Sequence, residues 1–225
     1  MEQTLWAAIG YLFGSFPTGY LTVKIMKGED VRTLGSGNTG GTNVGRVMGK
    51  KWAVFVTIMD MLKGGAVVML CRAFGGDDAA VALAAFAAVC GHNCPVWLGF
   101  HGGKGVATTL GTLFFVQMWA SCAAVLLGGA LWFLIMKTTR YVSVASLAAL
   151  LFVAGAFGFF GLHRAFVMLA LGLAALSLWR HRDNLSAWPA ARKIKLVKNN
   201  PDQFLTIFDQ CATIVPVLKE GTEEP

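Results

Sequence analysis

The chain has 225 residues, 56% of them hydrophobic and only 14% charged, with a formal net charge of +7. Soluble domains carry about 25% charged residues, so this composition excludes an ordinary soluble enzyme and points to an all-α integral membrane protein. No aromatic-basic surface module accompanies the excess of Lys and Arg, which argues against nucleic acid as a partner and for orientation in a bilayer.

The N-terminus carries Glu2, no positive charge ahead of its apolar run and no convincing small-residue cleavage site, so it reads as a retained span. That first span covers about residues 5–26, and Pro17 within it is tolerable where neighbouring helices shelter the freed carbonyl. Residues 35–46 follow, with five glycines and two asparagines in twelve positions. Such a stretch favours neither helix nor packed strand. It suits a cradle whose amide N–H groups converge on an anion, with Ser36, Thr42 and Arg46 adding hydroxyl donors and a forked cation.

The second span, about residues 52–71, holds Asp60 and Lys63 on one helical face, where burial calls for mutual neutralisation or a polar partner in the bundle. A third span over residues 79–98 ends in His92 and Asn93, either a general base with its orienter or a helix terminus satisfied by backbone. The next glycine-rich loop, Gly102-Gly103-Lys104-Gly105, opens a helix whose first N–H groups favour an anion. It is not a Walker A loop, because Leu98 stands where the first glycine belongs and Gly105 where Ser or Thr would hold magnesium.

Residues 106–136 carry no formal charge. One helix of that length would measure about 46 Å, too long for a hydrocarbon core of roughly 30 Å, so a split near residues 117–121 into two short helices is expected. A sixth span takes residues 142–162 and a seventh 165–179, with His181, Arg182 and Asn184 directly after it. Seven spans with the N-terminus outside and the C-terminus cytoplasmic place sixteen of the nineteen Lys and Arg residues inside, and only Arg72 and Arg164 outside. The membrane domain is then residues 1–185. Residues 186–225 form a cytoplasmic tail, with Phe204, Ile207, Phe208, Cys211, Ile214 and Val215 at the spacing of a short amphipathic helix. Arg192, Lys193, Lys195 and Lys198 before that helix would meet anionic lipid headgroups.

Cys71, Cys90, Cys94, Cys122 and Cys211 are odd in number and lie mainly in apolar segments, which reads as buried thiols. Cys90 and Cys94 flank His92 without a second ligand pair, so no metal site is expected. No Gly-x-Ser-x-Gly elbow occurs, and no histidine is followed by aspartate five positions later. The predicted topology gathers residues 35–46, 102–104, 137–143 and 180–184 at one membrane face.

These polar stretches match a known pattern. Gly35-Ser36-Gly37-Asn38-x-Gly40-x-Thr42-Asn43-x-x-Arg46, Asp60-x-x-Lys63-Gly64, Gly91-His92-x-x-Pro95 with Gly102-Gly103-Lys104-Gly105-Val106-Ala107-Thr108, and His181-Arg182-x-Asn184 together resemble the PlsY family of bacterial acyl-phosphate:glycerol-3-phosphate acyltransferases. The resemblance covers residues 1 to about 185. It implies an inner-membrane enzyme, active at the cytoplasmic face, that acylates glycerol 3-phosphate from acyl phosphate without a cofactor or an obligate protein partner. It also implies that Ser36, Arg46, Lys104, Ser143, His181 and Asn184 line the substrate site. Gly35, Gly37, Asn38, Thr42, Asn43, Gly102, Gly103, Gly105 and Thr108 would complete it. Two departures are visible: Gly41 where the family usually carries alanine, and residues 185–190 where its third motif normally continues with Arg, Leu, Gly and Glu. The alternative from another class is a membrane transporter for an organic phosphate, which calls for polar residues on both sides of the midplane.

Overall fold

The apolar periodicity of the sequence emerges as nine α-helices among the described residues, which in this computed structural model are 2–186. The chain divides into two units, Met1–His181 and Arg182–Pro225. The amphipathic helix expected over residues 202–215, and the basic residues before it, lie outside the described residues.

The expected first span is two helices, α1 (Glu2–Gly14) and α2 (Thr18–Lys27), separated at residues 15–17. Pro17 has no N–H to continue the helical ladder, so the helix breaks there. Lys63 Nζ donates to the Phe16 carbonyl at 2.9 Å, satisfying from a neighbouring helix a polar group that the break releases.

The second half of the glycine-dense stretch corrects the loop reading, because Gly41–Met48 is a short helix, α3. Its glycines serve close packing. A Cβ on Gly41 would stand 2.5 Å from Thr57 Oγ1, and one on Gly45 2.8 Å from the Ala53 Cβ. Contact with α4 (Lys50–Ala73) thus overrides poor local propensity. Beneath this segment Val23, Val31, Val44 and Val56 form a small core of their own, with Tyr20, Leu34 and Trp52 against it.

The third span is α5 (Asp78–Asn93), followed by a 3₁₀ turn at Val96–Leu98. The long uncharged run divides as expected into α6 (Val106–Phe115) and α7 (Met118–Thr139), but the second piece is a full-length helix. Ser121 Oγ accepts from the Gln117 N–H at 3.1 Å where the new helix begins. Two further helices, α8 (Val142–Phe159) and α9 (Arg164–Ser186), complete the set. The last one corrects the reading of His181 to Asn184 as a segment beyond the final helix, because it runs on through all of them.

Small residues set the helix spacing. Gly10 and Gly14 of α1 sit so close to Ala84 and Ala88 of α5 that a Cβ on either glycine would overlap alanine backbone. Gly64 of α4 makes the same kind of approach to Thr108 of α6. The main core, including Val67, Ala85, Leu113, Leu150, Phe157, Phe166 and Leu173, joins α4, α5, α6, α8 and α9.

Among the described residues, four segments are long and apolar enough to cross a membrane: Lys50–Ala73, Asp78–Leu98, Trp119–Thr139 and Val142–Phe159. Leu126, Leu127, Phe133 and Leu134 of α7 are exposed. Such an apolar exterior fits lipid rather than water.

Candidate active site

The glycine-rich loop before α3 takes its shape from Asn43. This side chain is buried, and its Oδ1 accepts the Ser36 N–H at 2.8 Å. Its Nδ2 lies 3.3, 3.0 and 2.9 Å from the carbonyls of Val31, Leu34 and Asn38. One amide therefore organises residues 31–38 from inside. Gly35 and Gly37 adopt φ of 58° and 69°, left-handed values that glycine reaches without strain. Ser36, Thr42 and Arg46 are exposed on this frame.

The second loop is tied to the first and to two helix ends. Asn38 Nδ2 donates to the Gly102 carbonyl at 3.4 Å, and Arg32 Nη1 donates to the Leu98 carbonyl at 3.0 Å. The N–H groups of Gly102 and Gly103 donate to the carbonyls of Asn93 and His92 at 3.2 and 3.0 Å, satisfying the end of α5. From the opposite side, Arg180 of α9 donates to the Gly103 carbonyl through Nε at 3.2 Å and Nη2 at 2.8 Å. The glycine pair just before Lys104 is held through its N–H groups by one helix and through its carbonyls by another.

Gly105 caps α6 with φ of 77° and contributes no side-chain cap, so the first N–H groups of that helix face the loop without one. Lys104 is half-buried, and Thr108 is buried in the first turn of α6 with its Oγ1 lacking a hydrogen-bond partner. His181 is buried, with Nδ1 3.0 Å from the Ser177 carbonyl, and Lys104 and Arg180 are its electrostatic neighbours. Outside the spanning helices, hydrogen bonds from Arg32 hold the Asp30 carboxyl below the usual carboxylate value.

A family described as glycerol-3-phosphate acyltransferase matches residues 4–190. The chain belongs to that family. It is 39% identical over 190 residues to a glycerol-3-phosphate acyltransferase of Rhizobium etli (strain CIAT 652), covering 84% of this chain and 89% of the relative. It is 43% identical over 177 residues to one from Rhodopseudomonas palustris (strain BisB5), covering 79% and 87%. Two solved structures of PlsY, an integral membrane glycerol 3-phosphate acyltransferase, are similar to it. The glycerol 3-phosphate form has a TM-score of 0.79 at 35% identity, over 85% of this chain and 94% of that one. The lysophosphatidic acid form has a TM-score of 0.77 at 33% identity, with the same coverage.

Within this acyltransferase fold, residues 35–43, 102–105 and 180–181 are drawn together. Ser143 is buried in the first turn of α8, on another element from those loops. Asn184 belongs to the unit that begins at Arg182 and is exposed there. Sequence reasoning gave no separate part to Arg180, because a cation closing an apolar run has the same appearance whether it orients the chain or clamps a loop.

Proposed function

We propose that this chain transfers an acyl group from an acyl phosphate to the 1-hydroxyl of glycerol 3-phosphate, giving 1-acylglycerol 3-phosphate and phosphate. Family membership supports the reaction class. The observation that carries the site is the junction of the two glycine-rich loops, where Asn38 meets Gly102 and Arg180 holds Gly103. Both substrates bear phosphate, and the junction offers Lys104, Arg46, loop amides and the start of α6 as its ligands. In this reading Lys104 and Arg46 neutralise phosphate, Ser36 completes the cradle, and His181 orients glycerol 3-phosphate, a role that the family resemblance also gives to Asn184. Thr42, Thr108 and Ser143 line the same site.

An acyl phosphate is already activated, so no covalent enzyme intermediate or cofactor is needed. The glycerol oxygen forms a bond to the acyl carbon, the bond from that carbon to the phosphate oxygen breaks, and the departing phosphate takes the hydroxyl proton. Catalysis is then positioning and electrostatic stabilisation. The acyl chain lies among apolar side chains of the bundle.

The pair of α1 with α2, together with α4, α5, α6, α7, α8 and α9, would make seven membrane segments. We place the N-terminus outside, the site at the cytoplasmic face of the bacterial inner membrane, and residues 186–225 as a cytoplasmic tail beyond the domain 1–185. A transporter would need polar residues across the bundle. The buried charged groups Asp60 and Lys63 pair with each other, and His92 approaches Asp60, instead of lining such a path.

The test is purified protein in detergent with palmitoyl phosphate and glycerol 3-phosphate. Stoichiometric release of phosphate and lysophosphatidic acid is expected, and folded protein giving neither product refutes the reading. A folded Lys104→Ala protein with full activity refutes the site.

A further inference from the structure

Below the loop junction lies a buried charged cluster that the proposed chemistry leaves unused. Lys63 Nζ stands 2.8 Å from Asp60 Oδ1, with side-chain exposures of 9% and 3%. This is a close ion pair whose angle departs from hydrogen-bond geometry, since Asp60 Oδ1 has no aligned donor. The same ammonium donates to the Phe16 carbonyl at the break between α1 and α2. His92 Nδ1 approaches Asp60 Oδ1 at 3.5 Å. Burying such charges in a membrane bundle is costly, and an apolar replacement of similar volume is often at least as stable. Stability alone is a poor account of the cluster.

The other edge of His92 explains it better. Its Nε2 faces the Cα of Gly103 so closely that a Cβ there would overlap the imidazole. Its carbonyl accepts the Gly103 N–H at 3.0 Å. Its two ring nitrogens thus face Asp60 on one edge and Gly103 on the other. The ring is a wedge between a fixed carboxylate and the backbone that precedes Lys104.

We infer that His92, fixed by Asp60 and Lys63, is a positioning residue that sets the Gly102–Gly103 backbone and thereby the reach of Lys104. The inference rests on the acyltransferase reading for its catalytic consequence only. Asp60 fixes the ring, the ring bounds Gly103 from below, and Arg180 pulls the Gly103 carbonyl from the far side. Gly103 must be glycine because the imidazole occupies the space of a side chain.

A double-substitution cycle tests this. Gly103→Ala, His92→Ala and the combined variant are assayed in detergent for kcat and for KM toward glycerol 3-phosphate and acyl phosphate. Each single change is expected to lower kcat/KM about tenfold or more, since an ångström of displacement near chemistry can cost about a hundredfold. KM for a phosphate-bearing substrate should rise while the melting temperature of the folded fraction stays near wild type. Removing the imidazole makes room for the new Cβ, so the combined variant should be no worse than the poorer single one. Losses that multiply overturn the inference, as does lower stability with unchanged KM.

Should His92→Ala fail to fold, Asp60→Asn keeps the shape and removes the anchor. Hydrogen exchange at the Gly102 and Gly103 amides should then accelerate about tenfold relative to the amides of α5, a local opening seen without any activity assay. Unchanged exchange overturns the inference. Wild-type protein that makes no product refutes the acyltransferase reading alone, and the exchange result still decides the positioning.

Discussion

Asn43→Asp separates a loop organiser from a substrate ligand. The substitution keeps size and replaces Nδ2, whose two hydrogens serve three carbonyls at 3.3, 3.0 and 2.9 Å, with an oxygen. Two buried hydrogen bonds are lost at about 1 kcal/mol each, and the abandoned carbonyls add roughly another 1 kcal/mol or more. A total near 3 kcal/mol corresponds to about a hundredfold rise in the open form of residues 31–43. Arg32 and Arg46 bracket the loop, so trypsin reports that opening directly. When opening is fast relative to cleavage, the cleavage rate follows the open population, and it should rise about a hundredfold. Activity should fall with it. A folded Asn43→Asp protein that resists trypsin like wild type yet loses activity would refute the reasoning and make Asn43 a direct ligand.

Arg180→Met should raise KM for a phosphate-bearing substrate roughly tenfold and lower the melting temperature by a few degrees, because charge-assisted bonds to a carbonyl contribute about 1.5–3 kcal/mol. Steady-state kinetics in detergent checks this, with Arg180→Lys restoring part of the loss. Gly64→Val would bring a side chain to 2.5 Å from the Thr108 carbonyl, backbone that cannot swing away, and the overpacking should cost about 1–3 kcal/mol, seen as a lower melting temperature. Asp30 has its folded-state value lowered by hydrogen bonds from Arg32, so its contribution to stability is present above the ordinary value of 3.8 and is lost as pH falls through the lowered one. The melting temperature of Asp30→Asn should therefore fall below wild type near neutral pH and converge with it in acid.

Much of the fold was legible because its signals are long. The uncharged run 106–136 exceeded one membrane span, and the chain does divide there, after Phe115. The glycines of the 102–105 loop announced a helix start, and Gly105 is its cap. What escaped reading was decided by tertiary contact. Gly41 and Gly45 looked like loop formers and are helix residues, because their missing side chains let α3 lie on α4. Pro17 marked a tolerable defect and proved a full break, whose released carbonyl found Lys63. Arg180 carried no local sign of its partner 77 residues away.

Helices that stop early frame the proposed site. At 1.5 Å per residue, the ten residues of α6 span about 15 Å, half of a hydrocarbon core of roughly 30 Å, and the span that begins with α5 continues past Asn93 only through the 3₁₀ turn at Val96–Leu98. A helix that stops early leaves carbonyls and N–H groups unpaired at a depth where water does not satisfy them. Here the carbonyls of His92 and Asn93 take the N–H groups of Gly102 and Gly103, and the glycine carbonyls take Arg180 and Asn38. Every one of those bonds fixes the backbone next to Lys104, while the N–H groups that open α6 are left facing the loop without a side-chain cap. An anion at that point would be satisfying a helix end as well as meeting a cation. Gly105→Ala, with its φ of 77° strained for alanine and Asn93 Oδ1 2.6 Å from the new Cβ, should therefore harm phosphate binding more than folding. Isothermal titration with glycerol 3-phosphate, alongside a melting curve, is the check: unchanged affinity in a folded Gly105→Ala protein would mean that the helix start takes no part in holding the anion.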